Sequence, residues 1–132
     1  MDKDAFGLVV VAKNRLAAYY LQPTHQKMVR KYKCLCHGLF LEDEGSICNR
    51  IAQVEGSHKR YISDTMGKMA ISHYKVIKRY SDLTLVEFTL ETGRTHQIRL
   101  HTLSLGHPIL GDTMYGICLL YTSDAADDRI SV

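Results

Sequence analysis

The chain has 132 residues and a formal net charge of +3, from 17 basic and 14 acidic side chains. Hydrophobic residues make up 45% and charged residues 23%, which predicts one folded domain and excludes both intrinsic disorder and two full-sized domains. The longest apolar run, residues 8–12, is far shorter than the roughly 18 residues of a membrane-spanning helix. We find no secretory signal pattern and therefore expect a cytoplasmic protein that does not associate with membranes.

The first third of the chain predicts two strands around a short helix. Residues 7–13 are apolar and rich in valine, which favours a buried strand. Asn14 is a suitable N-cap for a helix that Pro23 should end. Residues 30–37 alternate in polarity and predict a half-buried strand. One face of that strand is formed by Tyr32, Cys34 and Cys36.

The middle of the chain combines an irregular stretch with a hairpin. Residues 42–69 have several glycines, many charges and little periodicity, so we expect a long surface stretch with a short strand near Ile47. Residues 71–80 and 83–91 are both strand-like and separated by a two-residue turn, which predicts an antiparallel hairpin.

A helix is expected from about His96 to Leu105, with Thr95 as its N-cap and Gly106 just after its end. A helix N-terminus next to Arg94 would suit a phosphate group. Three-and-four spacing groups four residues on one side, namely His96, Arg99, Leu100 and Leu103. An arginine on the core-facing side requires a carboxylate partner. Together the elements predict an α+β fold with a mixed, largely antiparallel sheet and flanking helices.

The cysteines and histidines raise the question of a metal site. Cys34 and Cys36 are too close together for a usual zinc knuckle, so we expect the cysteines to be small buried hydrophobic residues. They are Cys34, Cys36, Cys48 and Cys118. An alternative is a metal-dependent hydrolase that would use His96, His101, His107 and Asp112. The five-residue spacing of the first two histidines suits one helix face poorly, and we expect no metal site.

Four blocks of sequence resemble, in order, the signature of the RluA-like pseudouridine synthases, which act on ribosomal or transfer RNA. The most specific block reads Gly-Arg-Thr-His-Gln-Ile-Arg-Leu-His and continues to a Gly-Asp and a Tyr-Gly pair. The four blocks lie within residues 2–13, 31–38, 67–74 and 93–116. The His-Arg pair that usually precedes the family's catalytic aspartate is absent before Asp2. We therefore expect a partial catalytic domain, an internal fragment of a longer protein.

The resemblance implies three catalytic residues. Asp2 would be the aspartate that starts the reaction. Tyr32 would stack on the uracil, which must leave the RNA stack, and would help to remove its C5 proton. Arg99 would form an ion pair with Asp2 and keep that carboxylate charged and oriented. The family's chemistry requires neither a metal ion nor an organic cofactor.

The resemblance also implies a structured RNA as partner and no obligate protein partner. Arg94 and His96 would lie near an RNA phosphate or the target nucleotide. The other expected RNA-binding residues are Thr95, Lys31 and Lys33. The mildly basic composition is compatible with a polyanionic partner without requiring one. A second interpretation is an inactive remnant with the same fold that only binds RNA.

The resemblance ends near residue 116, so we divide the chain into a partial catalytic domain, 1–117, and a tail, 118–132. The tail is acidic and has no apolar period. Its start resembles the translation of a transposon-end adapter used to prepare sequencing libraries, which makes an artefact one expectation. The alternative is a natural, disordered acidic tail.

Overall fold

The computed structural model describes residues 5–25 and 27–115, with the side chains of residues 24 and 25 excepted. Asp2, and the whole of the expected tail at 118–132 with Cys118, lie outside the described residues. The chain divides into two compact units, one up to residue 30 and one from residue 31 onward.

The first unit contains helix α1, Arg15–His25. The Asn14 carboxamide oxygen accepts the Ala17 backbone N–H at 2.8 Å, which confirms the predicted N-cap. Pro23 lies inside the helix, so the prediction that it ends the helix is wrong. Because Pro23 is near the C-terminus, it disrupts only the last turn rather than the helix interior.

Residues 7–13 were expected to form a buried strand, and the structure contradicts this. They form no strand, and four of them are largely exposed. Leu8, Val9, Val10 and Val11 have exposed fractions between 59 and 105%. A strand requires hydrogen-bonded neighbours, and the described residues supply none to this segment.

The second unit is built on a five-stranded sheet in the order β1-β5-β4-β2-β3. The strands are β1 Arg30–His37, β2 Glu44–Gln53, β3 Arg60–Ser63, β4 Lys68–Arg79 and β5 Leu83–Leu90. Pairing is antiparallel between β2 and β3, between β2 and β4, and between β4 and β5. The helix α2, Gln97–Ser104, follows the last strand. The α+β class, the predicted strand over 30–37 and the predicted hairpin are confirmed.

The stretch 42–69 is more regular than the sequence predicts. It contains β2, which is ten residues long, as well as β3 and the start of β4. The expected short strand near Ile47 is thus part of a long internal strand that pairs on both sides. Tertiary pairing with β4 overrides a local sequence whose polarity does not alternate cleanly.

One face of the sheet packs under α2. A first cluster contains Cys36, Val86 and Phe88, and the partly buried Ile98 and Leu105 of the helix pack against it. A second apolar cluster packs the helix against the sheet and against Tyr115, the last described residue. Its members are Ile51, Ala70, Leu100 and Tyr115, with Ile62 and Leu103 at its edge.

The opposite face of the sheet carries a row of polar side chains. His73 on β4 binds the Ser46 hydroxyl through Nδ1 at 2.6 Å and the Glu91 carboxylate through Nε2. Lys31 on β1 lies 3.6 Å from the Glu87 carboxylate on β5. These cross-strand pairs fasten neighbouring strands on the side away from α2.

None of the helices in the described ranges is long and apolar enough to cross a membrane. The cysteines differ in their surroundings. Cys36 is fully buried, Cys34 is partly buried with its sulfur 3.6 Å from that of Cys36, and Cys48 is exposed. The expectation of buried cysteines therefore holds for Cys36, holds in part for Cys34 and is wrong for Cys48.

Candidate functional site

The turn that leads into α2 is held by Gln97, the first residue of the helix. Its amide oxygen accepts hydrogen bonds from the Thr92 hydroxyl at 2.7 Å and the Arg94 backbone N–H at 3.0 Å. Its amide nitrogen donates to the Ile71 carbonyl at 3.0 Å and the Ser72 hydroxyl at 2.8 Å. Gln97 is only 3% exposed, so this satisfied network fixes the start of α2 against β4.

The N-cap of α2 is His96, not the predicted Thr95. His96 has φ 57° and ψ 24°, a left-handed conformation, and its side chain does not cap the helix. Its imidazole instead hydrogen-bonds through Nδ1 to the Tyr115 hydroxyl at 2.6 Å. A non-glycine residue in this region costs about 1 kcal/mol, which the contact with Tyr115 offsets.

Arg99, in the first turn of α2, forms a two-pronged ion pair with Asp112. Its Nε donates to one carboxylate oxygen at 3.0 Å, and its terminal nitrogen donates to the other at 2.8 Å. The side chain of Asp112 is 3% exposed and that of Arg99 is 21% exposed. The Asp112 carboxylate also accepts the backbone N–H groups of Met114 and Tyr115. This geometry fixes the plane of the guanidinium.

The surroundings of Asp112 keep its carboxylate ionised. Burial by itself would raise the pKa of this group. The hydrogen bonds from Arg99 and from the Tyr115 and Met114 backbone, with the charge of Arg99, outweigh burial and hold the pKa below its usual range. Arg99 therefore faces a permanent negative charge at neutral pH.

Tyr115 connects this ion pair to the edge of the sheet. Its side chain is nearly buried, and the guanidinium carbon of Arg99 lies 5.0 Å from the ring centroid. Its hydroxyl accepts the Arg60 backbone N–H at 2.9 Å, next to the bond with His96. Burial is the main cause of the raised pKa of Tyr115, so its hydroxyl stays protonated. The stacked cation and the buried ring support each other.

His101 fastens the other side of α2 to the sheet. It is fully buried, with Nδ1 2.8 Å from the Ser72 hydroxyl and Nε2 2.8 Å from the Asn49 amide oxygen. Since an amide oxygen only accepts, Nε2 carries the proton, and Nδ1 accepts from Ser72. Burial lowers the pKa of His101 to about 4, so the ring is neutral at physiological pH.

The four side chains of the metal-dependent alternative have separate partners. His96 bonds to Tyr115, and His101 to Ser72 and Asn49, while Asp112 pairs with Arg99. His107 uses Nδ1 to reach the His37 carbonyl at 2.8 Å. Within the described part of the chain, no group of three or more potential ligands could hold a metal ion.

The predicted site residues on β1 lie on two faces. Tyr32 shares the face of Cys34 and Cys36, which pack into the core beneath α2. Lys31 and Lys33 alternate with these residues and project to the opposite face, where Lys31 pairs with Glu87. The strand thus separates the expected RNA-binding lysines from Tyr32.

The predicted residues before α2 do lie together. Arg94 donates from Nε to the Met69 carbonyl at 2.8 Å, and Thr95 beside it is exposed. Both are close in sequence to the His96 turn described above. Asp2, the expected partner of Arg99, lies outside the described residues, so that pair stays a prediction.

Several residues of this arrangement were not predicted from the sequence. Asp112 was considered only as a metal ligand, although the need of Arg99 for a carboxylate was recognised. Tyr115 and Gln97 belong to the quoted motif but received no role. The Gly-Asp pair, which follows the helix after a turn with Pro108, was the available signal for the partner of Arg99.

Comparison with known proteins identifies the class to which this fold and site belong. The human RNA pseudouridylate synthase domain containing 1 superimposes with a TM-score of 0.68 and 27% identity, over 79% of this chain and 48% of that one. The human RNA pseudouridylate synthase domain containing 4 superimposes with a TM-score of 0.62 and 23% identity, which supports the fold alone. The fold is that of a pseudouridylate synthase domain, present here in part.

The sequence comparisons identify the family. The model of the RNA pseudouridylate synthase family matches residues 1–104, so the chain belongs to this family. It is 42% identical over 118 residues to an uncharacterized RNA pseudouridine synthase of Bacillus subtilis, covering 88% of this chain and 39% of that protein. It is 39% identical over 118 residues to the ribosomal large subunit pseudouridine synthase D of Haemophilus ducreyi, covering 88% and 36%. The chain spans about two-fifths of the length of these relatives.

Proposed function

We propose that the protein containing this chain is an RNA pseudouridine synthase, which converts specific uridines of structured RNA to pseudouridine. The observation that carries this proposal is the family match over residues 1–104, which includes Asp2, Tyr32 and Arg99. Ribosomal RNA is the favoured substrate, because relatives from several bacteria are named as ribosomal large subunit enzymes. Transfer RNA is the other substrate class that the family resemblance implies.

The reaction is an isomerisation, so it needs no external reactant. The bond between N1 of uracil and C1′ of the ribose breaks, the base turns, and a bond between C5 and C1′ forms. The proton on C5 is then removed, and N1 of the product carries a proton. Asp2 starts this sequence, and Tyr32 stacks on the extruded base and assists the loss of the C5 proton.

Arg99 is the residue whose surroundings support the proposed site most directly. Its two hydrogen bonds to Asp112 and its position over Tyr115 limit its rotation. A guanidinium held in one plane is preorganised to orient a second carboxylate, that of Asp2. We therefore assign Arg99 the task of keeping Asp2 ionised and aligned with the ribose.

RNA binding is assigned to the residues before α2 and to the lysines of β1. They are Arg94, Thr95, His96, Lys31 and Lys33. The αL turn at His96 exposes Thr95 and leaves Arg94 at the surface, which supports a contact with a phosphate. With RNA as its substrate, we place the protein in the cytoplasm.

The test of this function is Asp2→Asn in the full-length protein. Wild-type protein and variant are incubated with an unmodified transcript of large-subunit ribosomal RNA, and pseudouridine is counted by mass spectrometry of the digested RNA. We expect the wild type to form pseudouridine and the variant to lose at least 1,000-fold in rate, because the charge that starts the reaction is gone.

Asp64→Asn is the matched control, since Asp64 is an exposed acid in the turn between β3 and β4. It should retain the wild-type rate. A wild-type protein that forms no pseudouridine in ribosomal or transfer RNA would contradict the proposed function. An Asp2→Asn variant with the wild-type rate would refute the assignment of the catalytic aspartate.

A further inference from the structure

A basic cleft lies at the β3 edge of the sheet, beside the turn that leads into α2. It has a volume of about 380 Å³. Its floor is formed by the buried Ile51 and Ala52 of β2, and three cationic side chains surround it, those of Arg60, Lys68 and Arg94. The remaining lining residues are Gln53, Gly67, Gly93 and Thr95.

Within the described ranges, no acidic side chain neutralises the three cations of the basic cleft. None of the lining residues is acidic, and among residues 5–25 and 27–115 no carboxylate lies within 4.0 Å of Arg60, Lys68 or Arg94. The two arginines are oriented by main-chain carbonyls instead. Arg60 donates to the His58 carbonyl at 2.9 Å, and Arg94 donates to the Met69 carbonyl at 2.8 Å. Positive charge is thus concentrated at the cleft, with no carboxylate among the described residues to balance it.

Close backbone packing brings Lys68 to the cleft. Gly67 has φ +80°, and a Cβ at this position would be only 2.1 Å from the Ile51 carbonyl oxygen. A residue with a side chain would clash there with the main chain, so only glycine allows the β3–β4 turn to lie against β2. Lys68 follows directly and is exposed at the rim of the cleft.

The basic cleft is also connected to Arg99 through one residue. The Arg60 backbone N–H donates to the Tyr115 hydroxyl at 2.9 Å, and the ring of Tyr115 lies under the Arg99 guanidinium. A ligand bound to the Arg60 side chain would therefore be fixed close to the proposed reaction centre.

We propose that the basic cleft binds a phosphate of the RNA backbone and thereby sets the position of the target nucleotide. Guanidinium groups offer paired donors that match phosphate oxygens, and a lysine adds a point charge. This inference rests on the proposed function and adds Arg60 and Lys68 to the RNA-binding residues. Each phosphate neutralised by the cleft should release counterions and contribute to the salt dependence of binding.

The experiment measures how salt changes the affinity of the full-length protein for an unmodified large-subunit ribosomal RNA transcript. The variants are Arg60→Gln and Lys68→Gln. We expect the affinity to fall about 5- to 10-fold at low salt, and the slope of log K against log salt to become less steep by about 0.7 to 0.9 for each lost contact. The rate at saturating RNA should change less than the concentration needed for half-maximal rate.

Lys27→Gln is the matched control, because Lys27 is exposed and is not among the residues assigned to RNA binding. It should leave the slope unchanged. Arg60→Lys keeps the charge and should keep most of the slope, which separates charge from folding effects. The inference is overturned if Arg60→Gln and Lys68→Gln bind RNA with the slope of the wild type, or if Lys27→Gln reduces the slope equally. Failure of the proposed function is recognised separately, as a wild-type protein that binds the transcript but forms no pseudouridine.

Discussion

Among the described residues, the Asp112 carboxylate and the Tyr115 ring hold Arg99, and both come from the segment that follows α2. Asp112 lies 13 residues after Arg99 and Tyr115 lies 16 after it, so the chain must reverse between them. Gly106, with φ +80°, ends the helix and begins this reversal. The need of Arg99 for a carboxylate could be predicted from sequence, because its helix face points to the core. Its partner could not be, because identifying it requires the geometry of the reversal.

Asp112→Asn should destabilise the protein and reduce its activity. The variant keeps the shape of the side chain but removes the Asp112 charge from the two-pronged pair with the mostly buried Arg99, and we expect a loss of about 2 to 3 kcal/mol in the free energy of unfolding. Since Arg99 would also lose its fixed plane, the rate of pseudouridine formation should fall about 10- to 100-fold. Urea unfolding and the rate in single turnover measure the two effects.

Asp64→Asn is again the control for the change from Asp to Asn, and it should leave both quantities within error of the wild type. Equal stability and equal rate in Asp112→Asn would contradict the view that this ion pair positions Arg99. A loss of stability without a loss of rate would limit the pair to a structural role.

At the level of secondary structure, the predictions succeeded where local pattern and tertiary pairing agree. β4 and β5 alternate over most of their length, so the hairpin could be predicted from sequence. β2 could not, because exposed and buried positions alternate irregularly along Glu44–Gln53 and its regularity comes from pairing with β3 and β4. The N-cap of α2 was missed because His96 adopts a left-handed conformation that a side-chain contact with Tyr115 favours.

The attachment of α2 to the sheet should depend on pH through His101. The pKa of this residue is about 4 in the folded protein, against about 6.5 when it is unfolded. Between these values the unfolded state binds more protons, so stability decreases as pH falls from about 6.5 to about 4. The full contribution of one such histidine is about 3 kcal/mol at pH 4 relative to pH 7.

Urea unfolding of the wild type and His101→Gln at pH values between 7.5 and 4.5 measures this effect. The wild type should lose more stability on acidification than the variant, which lacks the titrating group. Proton NMR of the His101 ring supplies a second readout, and its signals should not titrate between pH 7.5 and 5.5. If the wild type and His101→Gln lose stability equally on acidification, and the His101 signals titrate like those of an exposed histidine, the ring is accessible to protons in the folded state.

At the scale of the whole molecule, the two units differ in how well they bury their apolar residues. The unit from residue 31 onward has two apolar clusters on one face of its sheet. The unit up to residue 30 leaves Leu8, Val9, Val10 and Val11 exposed. The apolar composition of this run led to the prediction of a buried strand, which is wrong: burial needs strand neighbours, and the described residues supply none.

We therefore predict that the 132-residue chain, produced on its own, self-associates. An exposed, mostly β-branched run that pairs with no strand among the described residues is a template for pairing between chains. Light scattering coupled to size exclusion should give a mass above that of the 15.0 kDa monomer and rising with concentration.

Replacing Val10 and Val11 together by lysine should lower this mass, because charge on the run opposes pairing. Leu41→Lys is the control, since Leu41 is 94% exposed but lies outside the run, and it should leave the association unchanged. A stable monomer with a sharp, reversible thermal transition would instead show that the chain folds completely without further strands.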